Sequence, residues 1–81
     1  MNDRKIYVRG LIAGKEEEFR VIETTMTNLA ADIRFKVSDL AGLDELSDGL
    51  EWAEIALRQL RESSGKRRTL KSELAKLREE L

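Results

Sequence analysis

No cysteine and no histidine occur among the 81 residues, which excludes disulfide staples, thiolate metal sites and the commonest general base and zinc ligand. Proline is absent too, and the aromatics are limited to Tyr7, Phe19, Phe35 and Trp52, while charged residues make up 38% of the chain. That balance belongs to helical bundles and coiled coils. No apolar run approaches the ~18 residues of a membrane span, and the N-terminus has no signal-peptide h-region. The expectation is a cytoplasmic protein with no membrane partner. A chain of this length makes one domain and buries only about 60% of its unfolded surface, so its own core is marginal. With disulfides and metals excluded, assembly with other copies is the remaining source of stability.

What is present is helical spacing. Leu43, Leu46, Leu50, Leu57 and Leu60, with Ala53 filling the gap, follow the 3,4 alternation of a helix seam. At about 100° per residue, Trp52 falls roughly 120° from that seam and Ile55 roughly 180° from it. One partner helix does not cover both, so a third helix or a second copy is expected on that face. Upstream, Phe19, Ile22, Met26, Leu29, Ile33, Val37 and Leu40 recur at 3 and 4, and Glu16, Glu17 and Glu18 stand where a first turn favours acids. This predicts a long helix over about 15–40. Gly42 and Asp44 offer the stop and the fresh N-cap of a short hairpin, with Asp39 or Ser38 as competing caps.

The two ends of the chain read differently. Lys5-Ile6-Tyr7-Val8-Arg9 alternates like a short strand, and Gly10 and Gly14 break anything longer, so residues 1–14 are expected to form an extended arm. At the other end Leu70, Leu74, Leu77 and Leu81 keep a 4,3,4 register of their own. Two readings stand: a break near Ser63-Ser64-Gly65 with a third helix from Thr69, or a second helix that runs on through Gly65. The fold expected is all-α, a long helical hairpin with a C-terminal coiled-coil-like helix and a short extended arm. Its bundle covers residues 15–81, with helices about 15–40, 43–62 and 69–81.

Charge is unevenly placed. Residues 1–9 sum to +2 and 63–81 to +3, while 21–62 sum to -5. Lys5, Tyr7 and Arg9 combine a stacking ring with phosphate-pairing cations, and Lys66, Arg67 and Arg68 sit where a helix starting at Thr69 would have cations at its N-terminus, against its dipole. These six are the candidate ligand-binding residues, for an anionic small molecule. A second stripe on the first helix, Val21, Thr24, Asn28, Ala31 and Phe35, carries uncharged polar groups that need partners. Thr24, Asn28, Phe35, Trp52, Ile55, Leu70, Leu74 and Leu77 are therefore the candidate interface residues.

Other chemistries fall away. Asp44, Asp48 and Glu51 share a helix face, but di-metal bundles need Glu-x-x-His pairs and calcium loops need an Asp-rich spacing that is missing, so no metal or cofactor is expected. The serines and threonines have no histidine base, and no glycine loop cradles a phosphate, so no catalytic residue is assigned. Nucleic acid is the weakest partner, because a few cations beside Glu73, Glu79 and Glu80 neutralise too few phosphates.

One resemblance attaches to residues 46–57, Leu46-Ser47-Asp48-Gly49-Leu50-Glu51-Trp52-Ala53-Glu54-Ile55-Ala56-Leu57, following a helix that runs Phe19…Leu29-Ala30…Ile33. This stretch resembles the helical hairpin of phage anti-CBASS and Thoeris anti-defence sponges. The resemblance implies a small homo-oligomer that sequesters cyclic nucleotide immune signals, without cleaving them, in pockets between protomers. It assigns no site residue here. The sequence thus points to a non-enzymatic, homo-oligomeric binding protein, with a protein-partner adaptor or inhibitor docking through exposed helix faces as the alternative.

Overall fold

The computed structural model describes residues 2–38 and 43–81, with the side chains of 3–38 and 46–81. Two helices account for all of them but Glu80 and Leu81, α1 (Asn2–Ser38) and α2 (Leu43–Glu79), and among the described residues there is no strand. Each spans about 55 Å at 1.5 Å per residue. They lie antiparallel in a rod of 66 × 15 × 12 Å. The cross-helix pairs fix that direction: Arg4 with Glu80, Lys15 with Glu73, Arg67 with Glu23, and Lys36 over Trp52. The proposed caps at Asp39, Gly42 and Asp44, and Leu40, lie outside the described residues or side chains. Ser38 is no N-cap; its hydroxyl donates back to the Phe35 carbonyl at the end of α1.

The extended arm is a correction. Residues 2–14 are helical and belong to α1, because Val8, Ile12, Lys15 and Phe19 continue the 4,3,4 seam backwards into them. Val8 is wholly buried and forms the core with Ile12 and Leu74, against which Phe19 and Leu77 pack. Gly10 and Gly14 are tolerated in the helix on its exposed side, each costing ~1 kcal/mol relative to Ala. The three glutamates at 16–18 are consequently in mid-helix, where Glu16 meets Arg78 and Glu17 meets Arg20. Arg20 hydrogen-bonds the Glu17 carboxylate and holds its pKa below the ordinary value, with the opposite charge adding to the effect.

The break at Ser63–Gly65 and the separate helix at 69–81 are also corrected: α2 is continuous through Gly65. Its inward face reads Gly49, Ala53, Ala56, Leu60, Ser63, Arg67, Leu70, Leu74 and Leu77, all buried or half-buried. This is one uninterrupted 4,3 alternation. Of the seam expected at Leu43, Leu46, Leu50, Ala53, Leu57 and Leu60, Ala53 and Leu60 lie on this face and Leu43 lies outside the described side chains, whereas Leu46, Leu50 and Leu57 point outward, the last two 53% and 51% exposed. The hairpin is therefore sealed at the end where the termini meet and thin toward the turn. There the buried side chains of α2 are Ala53 and Ala56, and Met26, Leu29, Ile33 and Leu60 remain half-open.

Candidate functional site

A strand would have set Lys5, Tyr7 and Arg9 on one face. In a helix Lys5 and Arg9 share a side, and Tyr7 points about 160° away from both. The ring-between-cations arrangement is thereby undone, although all three side chains are exposed. Val8, between them, turns into the core instead.

The second basic cluster splits in the same way. Lys66, Arg67 and Arg68 are successive on a helix and point in three directions. Arg67 turns inward: its guanidinium lies 4.9 Å from the centre of the Phe19 ring, and its Nε donates to Glu23 at 3.1 Å. It caps the hydrophobic seam with its stem and is satisfied by its own chain. Lys66 and Arg68 remain exposed. Along α1, Tyr7 stands about 24 Å from Glu23, the partner of Arg67, by the helical rise. A single hairpin does not bring the two cationic sets together.

Arg67→Glu should accordingly destabilise the hairpin itself. It loses the ring contact and places a carboxylate beside Glu23, at a cost of about 1 kcal/mol for a half-exposed pair. Thermal melts should move down by roughly 4–8 °C. An unchanged melting temperature would mean that this contact contributes nothing.

Lys66 does border a groove of about 750 Å³ between the helices, where Gly65 leaves space beside Ile22 and Leu70. The ion pair between Lys15 and Glu73 forms part of its wall. The hydrogen bond to Glu73 raises the Lys15 pKa above the ordinary lysine value, against a smaller lowering by desolvation. Two ammonium groups are outnumbered there by Glu18, Glu62 and Glu73. That balance disfavours an anion. A smaller hollow on α1 is bordered by Arg20, Glu23, Thr24, Thr27 and Asn28. Its hydroxyls are engaged locally, Thr24 donating to the Arg20 carbonyl and Thr27 to that of Glu23.

The candidate interface residues divide into two groups. Leu70 and Leu74 are buried and Leu77 half-buried within the hairpin, so they belong to its own core. Trp52 also finds cover at home, half-buried with the Lys36 ammonium 5.0 Å from its ring centre. Thr24, Asn28, Phe35 and Ile55 stay outside, Phe35 at 73% exposure. The surface that sequence reasoning missed is Leu46, Leu50 and Leu57, with Val37 of α1 exposed as well. Its signal is the leucine spacing at 46, 50 and 57, which reads equally as a core seam.

Among the described residues no group of three or more potential ligands gathers for a metal, and no buried side-chain nitrogen or oxygen lacks a hydrogen-bond partner. Nor is any helix among them long and apolar enough to cross a membrane. No family model matches the chain, and neither a curated protein nor a solved structure does.

Proposed function

We propose that this chain is a non-enzymatic helical binding protein that works as a homo-oligomer. The observation that supports the reading is its surface. A compact monomer of 9.3 kDa exposes about 5,000 Å² by the usual scaling of area with mass, whereas this hairpin exposes 6495 Å². The excess is about 1,500 Å², more than the ~800 Å² that each partner contributes to a standard interface. The two helices close a core only at the end where the termini meet, and further copies would cover the half that stays open.

A sponge for anionic signals such as cyclic nucleotides is the most specific form of this reading. Because Lys5, Tyr7 and Arg9 are remote from Lys66 and Arg68 within one chain, such a site would be composed between copies. Native mass spectrometry of the purified protein, with and without a panel of cyclic di- and trinucleotides, tests both levels. The expected result is one discrete oligomer that takes up a whole number of ligands, with uptake lost in Tyr7→Ala or Arg68→Glu. An oligomer that ignores the panel overturns the sponge and favours a protein partner docked on the outward Phe35 and Ile55. A monomer at every concentration overturns the homo-oligomer.

A further inference from the structure

The cross-helix contacts divide the rod lengthwise into two flanks. Arg78 with Glu16 and Arg67 with Glu23 lie on one, and Arg4 with Glu80, Lys15 with Glu73, and Lys36 over Trp52 on the other. Carrying the 4,3 seams around each helix puts Arg9, Arg20 and Arg34 of α1 and Arg61, Arg68 and Lys71 of α2 on the first flank, all exposed. Its carboxylates are Glu54 and the two already held by Arg78 and Arg67. Apart from Arg20, which holds Glu17, the six cations pair with no carboxylate among the described residues. The second flank is the acidic one, with Glu18, Asp32, Asp48, Glu62, Glu73 and Glu80 against Arg4, Lys66 and Lys76 beyond its seam. Leu50 and Leu57 stand on the basic flank, with Leu46 at its edge and Val37 of α1 beside them.

We infer that the basic flank is a docking surface for an anionic lipid leaflet, contacted from outside and not crossed, with the leucines at the acyl boundary and the guanidinium groups at the phosphates. Charge complementarity selects the occupant, and the leucines narrow it. They cover about 17 Å of the flank along α2, while the cations run about 38 Å from Arg34 to Arg9 along α1. A nucleic-acid duplex offers phosphates but nothing that buries leucines; a leaflet offers both in one plane. An acidic helix laid over the leucines would cover one narrow stripe, whereas the cations stand on both helices across the width of the flank. The net charge of -1 does not forbid the contact. The rod is 15 × 12 Å in section, and the screening length at physiological salt is ~8 Å, so the acidic flank lies beyond it and the near flank decides. The inference goes beyond the homo-oligomer reading: Phe35 and Ile55 stand on the other side and stay free for copies.

Flotation of the intact chain with vesicles of phosphatidylcholine, alone or mixed with phosphatidylglycerol, tests this. Binding is expected to the mixed vesicles only, weakening as salt rises. At roughly fivefold per cation, R61Q/R68Q/K71Q should weaken it about 100-fold, and L50S/L57S should weaken it too, whereas E18Q/E62Q on the acidic flank should not. All these side chains are exposed, so circular dichroism should show each variant as helical as the intact chain. Fluorescence reports the side: Trp52, the one tryptophan, should keep its emission on the mixed vesicles, and W52F/L57W should shift to the blue. No binding to the mixed vesicles, or equal binding to phosphatidylcholine alone, overturns the inference. So does binding that L50S/L57S leaves unchanged and that duplex DNA matches, which reduces the flank to charge alone. A blue shift of Trp52 with none at position 57 overturns the side. Each of these outcomes leaves the homo-oligomer to native mass spectrometry.

Discussion

Leu74→Ala should lower the stability of the hairpin by ~2–5 kcal/mol, the range for emptying a buried leucine site. Leu74 is 4% exposed and packs with Val8 and Ile12 in the sealed end. With so few buried side chains there is little to collapse into the space, so the upper part of the range is expected. In a thermal melt this is a fall of at least ~8 °C. Leu50→Ala is the control. Its side chain is 53% exposed in the hairpin, so at a protein concentration where chains are single it should cost less than ~1 kcal/mol. Equal losses for the two leucines under those conditions would place the core on the Leu46–Leu50–Leu57 flank after all.

Deleting residues 2–14 should remove far more helix than the deleted segment contains. Val8 and Ile12 supply two of the three residues of the core cluster, and Arg4 holds Glu80 at the tip. Without them Leu70 and Leu74 face water, and the last third of α2 loses the packing that keeps an isolated helix of that length formed. Circular dichroism should record the loss of roughly 25 helical residues, the deleted segment plus α2 beyond about Leu70. A loss confined to the deleted residues would mean that this segment is a separate arm, as its glycines suggested.

The all-α hairpin and the α1 seam from Phe19 to Ile33 were legible because large apolar residues carry the 3,4 spacing there. Two things hid the rest. In α2 the inward face is built of Gly49, Ala53, Ala56, Ser63 and Arg67, which carry almost no hydrophobic signal, while the strongest leucine spacing faces outward. Proximity to α1 and not hydrophobicity decides which face is inside, and that distance is absent from a one-dimensional pattern. At the N-terminus Lys15 interrupts the apolar series between Ile12 and Phe19, so Val8 and Ile12 looked detached. The chain tolerates the lysine by covering its stem and pairing its ammonium with Glu73. The candidate site suffered most, since a strand-like alternation and a helical turn put Lys5, Tyr7 and Arg9 in opposite arrangements.

The sealed end joins positions 8 and 74, almost the full length of the chain apart. Closing that span costs about 1.3 kcal/mol more in chain entropy than the 36-to-52 contact near the turn, by the logarithmic growth of loop cost. The strongest packing is thus the last that is cheap to form, and zipping from the turn must cross the poorly filled half before it is rewarded. On the ribosome the delay becomes a time. At ~5–20 residues per second, Val8 waits about 3–13 s for Leu74 to be made. For that interval α1 is an amphipathic helix without its mate, open to chaperones and to neighbouring nascent chains of its own kind.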